Sequence, residues 1–160
     1  MTVVVDTNVP MVASKRHPAA SPLCVANCVS AVRSIMHGTP LVLDDQWHII
    51  GEYRQQLSKL DAQSVGYEFL AYILQNRTVP GRCCFVRITP RDESYAEFPG
   101  APELAGFDRS DRKFAAVSRA HPDHPPVLNA VDSDWWHFRE VLERHNVHVD
   151  FVCPDYEFRQ

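Results

Sequence analysis

Four acids stand where they could work together: Asp6, Glu52, Asp111 and Asp132. Asp6 directly follows Val3, Val4 and Val5, a β-branched run that reads as a strand buried on both faces. Asp132 closes a second apolar run, residues 127–131. Glu52 falls early in a helix starting near Trp47, and Asp111 opens another helix that carries Phe114 and Val117. Asp108, Asp134 and Asp44 lie close behind as supporting acids. Carboxylates packed together repel and push one another's pKa up, at a cost of several kcal/mol if all are ionised. A hard divalent cation removes that cost, and an all-oxygen ligand set suits Mg²⁺ or Mn²⁺, as one ion or two. Such a site can bind a phosphodiester, ionise a water and stabilise a leaving oxygen.

Each acid also has an ordinary reading. Asp6 turns the chain with Thr7 and Asn8. Glu52 is a solvated helix glutamate, Asp111 a charge favourable to a helix dipole, and Asp132 the cap of the helix after it. Asp44 and Asp45 read as turn and cap residues. Convergence is what separates the two accounts. In a parallel sheet the strand ends open on one edge, where α/β proteins place their ligands.

The elements needed to bring them there are legible in the periodicity. Ser21 and Pro22 start a helix along Val25, Cys28, Val29, Val32 and Met36, which Gly38 ends. Residues 39–43 read as a strand, and helices follow from about Trp47 and over residues 65–75. Pro80-Gly81 breaks the chain before a strand at 83–88; residues 89–106 are the least regular stretch. A helix from Ser110 or Asp111, the strand at 127–131, a helix at 135–145 and a strand at 147–152 complete the alternation. That order predicts an α/β fold with a parallel sheet and helices on both sides. No repeat or composition shift divides the chain, so a single domain over residues 1–160 is expected, with about 154–160 as a C-terminal tail.

Composition narrows the class. The 160 residues are 45% hydrophobic and 22% charged, enough for a core without staples. A net charge of −4 argues against binding driven mainly by counterion release. No apolar run is long enough to span a bilayer, and the opening residues lack a basic signal-peptide region. The five cysteines are read as reduced, small apolar residues of a cytoplasmic protein. His121 and His124 belong to a proline-rich turn.

Four stretches carry a resemblance: Val-Val-Val-Asp6-Thr7-Asn8-Val, Ile-Ile-Gly-Glu52-Tyr, Asp108-Arg-Ser-Asp111-Arg-Lys-Phe-Ala-Ala-Val and Ala-Val-Asp132-Ser-Asp134-Trp. In these the chain resembles PIN-domain ribonucleases, including VapC-type toxins of toxin–antitoxin pairs. The resemblance implies a PIN-like three-layer sandwich around a mostly parallel five-stranded sheet. It implies that Asp6, Glu52, Asp111 and Asp132 bind Mg²⁺ or Mn²⁺, with Asp134 and Asp108 assisting and Asn8 bracing the cluster. The implied reaction is endonucleolytic hydrolysis of RNA, leaving a 5′-phosphate and a 3′-hydroxyl. A toxin role adds a small antitoxin and a homodimer as partners. Lys15, Arg16, Arg109, Arg112 and Lys113 are the basic residues available to phosphates, set against a solvated surface. Tyr53, Trp135 and Trp136 are aromatic enough to stack on bases, but packing is the favoured reading of both tryptophans.

Two readings compete. A non-catalytic PIN-like module would bind RNA or a protein and leave RNA intact. A haloacid-dehalogenase-like phosphatase also begins with a strand and an aspartate, yet needs a second acid where Asn8 stands.

Overall fold

The computed structural model describes residues 1–158. The opening valines do form a buried strand, β1 (Val4–Val5), but it is only two residues long. The chain then turns at Asp6 into a short helix, α1 (Asn8–Ala13). Pro10 occupies its third position, where a missing N–H costs no intrahelical bond. The second helix, α2 (Pro22–Met36), is capped as its sequence predicts: the Ser21 hydroxyl accepts from the Cys24 amide at 3.0 Å. Next come β2 (Leu41–Asp44), α3 (His48–Leu57) and α4 (Val65–Asn76). Asp44 is buried and accepts the His48 and Ile49 amides at 2.9 and 2.8 Å, the cap role expected of it.

Then follow β3 (Cys83–Val86) and a hairpin of β4 (Pro90–Arg91) and β5 (Ser94–Tyr95). A 3-10 turn at Arg109–Asp111 leads into α5 (Arg112–Ala120), and β6 (Val127–Asn129) follows. The last elements are α6 (Ser133–His137), α7 (Arg139–Arg144) and β7 (Val149–Phe151).

The fold is mixed α/β, but the expected five-stranded central sheet is not what forms. Among the described residues the strands divide into a parallel three-stranded sheet in the order β1-β6-β7, a parallel pair β2-β3, and the antiparallel hairpin β4-β5. A single bridge, Val3 to Leu41, joins the first two groups. The reason is local. The Val3 amide donates to the Pro40 carbonyl at 3.0 Å and the Val42 amide to the Val3 carbonyl at 2.9 Å. One step along, the Val5 carbonyl accepts the Tyr53 hydroxyl, and the chain then turns into α1. A two-residue strand leaves no length for a ladder on that side.

The hydrophobic cluster runs from Val3 to Cys153, with Tyr53, Phe69, Phe107, Phe114 and Trp135 as its largest fully buried side chains. No helix among the described residues is long and apolar enough to cross a membrane.

The cysteine expectation also fails. Cys24 on α2 and Cys153 after β7 form a disulfide across 129 positions of sequence, while Cys28, Cys83 and Cys84 are free. Spacing within one helix face gave no hint of a partner so remote in sequence. Such pairing is set by which segments the fold packs together.

Candidate metal centre

Asp6, Asp111 and Asp132 converge. Each offers a carboxylate oxygen, and the three oxygens lie within 4.8 Å of one another. Asp6 comes from the end of β1, Asp132 from just past β6, and Asp111 from the N-terminal end of α5. Pairing of β1 with β6 sets the first two side by side, with Val5 opposite Leu128. Asp6 and Asp111 are buried, only 4% and 7% exposed.

Three N–H groups fix the Asp6 carboxylate. The Asn8 amide and its Nδ2 donate to Oδ1 at 2.9 and 2.7 Å, and Trp135 Nε1 donates to Oδ2 at 2.7 Å. Burial nevertheless lifts the Asp6 pKa from 3.8 to about 6; the bonds from Asn8 and Trp135 oppose the rise, and charge on Asp132 and Glu52 adds to it. Asp111 has no such protection. It stands at the N-terminal end of α5 without capping it, and among the described residues no N–H donates to its carboxyl. Burial, the charge on Asp6, a hydrogen bond to Asp132 and the charges of Asp132 and Asp108 hold it protonated at neutral pH. Asp132 lies in the trio and also accepts the Asp134 amide at 2.9 Å as the cap of α6.

Asn8 braces the cluster, the part given to it by the resemblance. Besides Asp6, its Nδ2 donates to Asn129 Oδ1 at 2.8 Å, and its Oδ1 accepts the Ala130 and Val131 amides at 2.8 and 3.2 Å. Fully buried Asn129 accepts the Asp132 amide at 3.2 Å and donates to the Asp132 carbonyl at 3.1 Å. The two strand ends carrying Asp6 and Asp132 are thus tied by amide side chains. Asn8→Ala is expected to lower stability by about 2–3 kcal/mol, because the buried amides it serves lose their partner. Thermal melts should show a fall of roughly 5–10 °C for a chain of this size.

Glu52 stands beside the trio without joining it. Its Oε1 accepts Lys113 Nζ at 2.8 Å, and its Oε2 accepts the Thr7 hydroxyl. Lys113 is itself 8% exposed and also donates to the Ser110 carbonyl. Asp108 and Asp134 sit at the rim. The Asp108 amide donates to Asp134 Oδ2 at 2.9 Å, and Asp108 Oδ1 accepts the Ser110 amide and hydroxyl, each at 2.8 Å.

The basic residues divide. Lys113 is committed to Glu52, and Arg112 donates to the Ala105 and Phe107 carbonyls at 3.0 and 2.9 Å over the Phe98 ring. Exposed Arg109 pairs with Glu93 at 2.7 Å near the acids. Lys15 and Arg16 lie exposed at the other end of α1 from Asp6. Tyr53 and Trp135 are fully buried and have no face for a base, whereas Trp136 stacks on Phe158 and lies under Arg139.

Sequence reasoning missed Thr7, Asn129 and the indole of Trp135 as parts of this network. A polar residue ending the apolar run of β6 was the available signal for Asn129. Burial of Trp135 was legible, but its bond to Asp6 depends on tertiary placement. No family model, curated protein or solved structure matches the chain.

Proposed function

We propose that this chain is a metal-dependent endoribonuclease in which Asp6, Asp111 and Asp132 hold Mg²⁺ or Mn²⁺. The observation that carries this reading is the meeting of three carboxylates within 4.8 Å, two of them buried and one, Asp111, without an N–H partner among the described residues. The donor set fits the group: oxygens alone, on rigid element ends, in a place where negative charge is costly until a cation arrives. When bound, the ion would supply charge neutralisation and Lewis-acid activation of a phosphodiester and a water.

The chain's own residues do the rest. Asn8 and Trp135 aim the Asp6 carboxylate, and Asp111 gives up its carboxyl proton as ligands assemble. Lys113 balances Glu52, leaving that acid next to the trio and tied to Thr7. Arg109, Asp108 and Asp134 line the rim where an RNA strand would pass. A toxin of a type II pair, held by a small antitoxin, is the physiological role this activity would fit.

The test is incubation of unstructured RNA with the protein and Mg²⁺ or Mn²⁺. Cleavage leaving 5′-phosphate and 3′-hydroxyl ends is expected, falling about 100-fold or more in Asp132→Asn. RNA bound but left whole by a metal-loaded protein would point to a binding module. Phosphate released from monoesters, with RNA untouched, would point to a phosphatase.

A further inference from the structure

Away from the acidic rim, three sulfurs meet beneath the C-terminal segment. Cys24 and Cys28 are one turn apart on the same face of α2, and Cys153 follows β7. Cys24 and Cys153 are joined, and the free Cys28 Sγ lies 3.8 Å from Cys153 Sγ. All three sulfurs fall within 4.8 Å, and the residues are 0–1% exposed. A third thiol is not needed to hold a disulfide; packed against one sulfur of the bond, it is placed to exchange with it.

We propose that Cys24, Cys28 and Cys153 form an internal thiol–disulfide exchange site in which Cys153 alternates between the two helix cysteines. The Cys28 thiolate attacks Cys153 Sγ, the Cys153–Cys24 bond breaks, and the electron pair leaves on Cys24. The proton lost by Cys28 is replaced by one gained at Cys24. One disulfide is consumed and one formed, so neither oxidant nor reductant is required.

Two features set the direction and pace. Cys24 lies in the first turn of α2, where the helix dipole favours a departing thiolate. Burial pushes the Cys28 thiol up to about 12, so its thiolate is scarce near neutrality and exchange quickens about tenfold per pH unit. Exclusion of solvent keeps small external thiols away, which favours rearrangement in place. The outcome is mechanical: the covalent anchor of the C-terminal segment moves by four residues, about 6 Å along α2. That segment is also held by Asn27 Nδ2 donating to the Val152 carbonyl at 2.9 Å, by the Ser21 hydroxyl donating to Asp155, and by Tyr156 and Phe158 packed on His17 and Trp136.

The experiment maps free thiols on the full chain. Protein held at pH 6 or pH 9 is quenched in acid, denatured, labelled with N-ethylmaleimide, digested with pepsin and sequenced by tandem mass spectrometry. Label on Cys28 at pH 6, and on both Cys28 and Cys24 at pH 9, is expected, with Cys83 and Cys84 labelled throughout. In Cys24→Ser treated with diamide, which takes up the two electrons, a Cys28–Cys153 link should form. Label confined to Cys28 at both pH values, or all five cysteines labelled, would overturn the proposal. So would a Cys24→Ser protein with native circular dichroism and no Cys28–Cys153 link. If that variant does not fold, the wild-type map decides alone.

Discussion

Asp111→Asn is expected to make the metal-free protein more stable at pH 8, by about 2–4 kcal/mol, or roughly 5–15 °C in melting temperature. Removing a carboxyl normally loses an interaction. Here the carboxyl has no N–H donor among the described residues and faces Asp6, Asp132 and Asp108. The Asn amide keeps the shape and can still donate to Asp132, but it has no charge to suppress. The sign follows from linkage. In the unfolded chain Asp111 ionises near 3.8, whereas folding holds it protonated far above that value. The folded state therefore binds more protons above about pH 4, and stability falls as pH rises by up to 1.36 kcal/mol per unit for this one group. Asp6 behaves alike over a narrower window: stability is lost between 3.8 and about 6, about 3 kcal/mol in all, and changes no further above that. Metal-free wild type should thus melt lower at pH 8 than at pH 5, and Asp111→Asn should flatten that slope. Differential scanning calorimetry in EDTA across this range checks both. A less stable variant with an unchanged slope would show that Asp111 is an ordinary satisfied acid.

Lys113→Met should have the opposite sign and comparable size. The ammonium is buried against Glu52, with side chains only 10% and 20% exposed. Removing it leaves Glu52 facing the Asp6 charge without a counterion, a loss expected to be about 3–5 kcal/mol. Adding Glu52→Gln removes the stranded charge and should recover at least half. Urea unfolding of the two single variants and the double variant closes the cycle. Equal loss in Lys113→Met and the double variant would show that packing, not charge, is what Lys113 supplies.

The local elements were written plainly in the chain. Ser21-Pro22 marked the start of α2, Ser64 and the apolar spacing marked α4, and the position of Asp6 after three valines marked a strand end. What escaped were features decided elsewhere in the fold. The helix foreseen over 135–145 is split at Phe138, whose ring packs edge-on to Phe107 at 5.7 Å. The hairpin at 90–95 turns through Asp92 and Glu93 with φ of 49° and 63°, a left-handed pair that usually announces itself with Asn and Gly. Sheet width failed for a similar reason. Buried valines read as a central strand, yet β1 ends the β1-β6-β7 order, and nothing in them foretells that Tyr53 reaches the Val5 carbonyl. At the site, strand-end logic found Asp6 and Asp132 and helix-start logic found Asp111. Glu52 was placed nearby, yet its partner is Lys113, a residue whose sequence context reads as surface. Charge pairing across 61 positions is invisible until the chain is folded.

Calorimetric titration of Mn²⁺ into the protein at pH 7.5, repeated in two buffers of different ionisation enthalpy, bears most directly on the three-carboxylate site. Saturable binding is predicted, with proton release from Asp111 seen as a buffer-dependent heat and both signals lost in Asp111→Asn. Wild-type protein that gives no saturable heat up to millimolar Mn²⁺ would contradict the account.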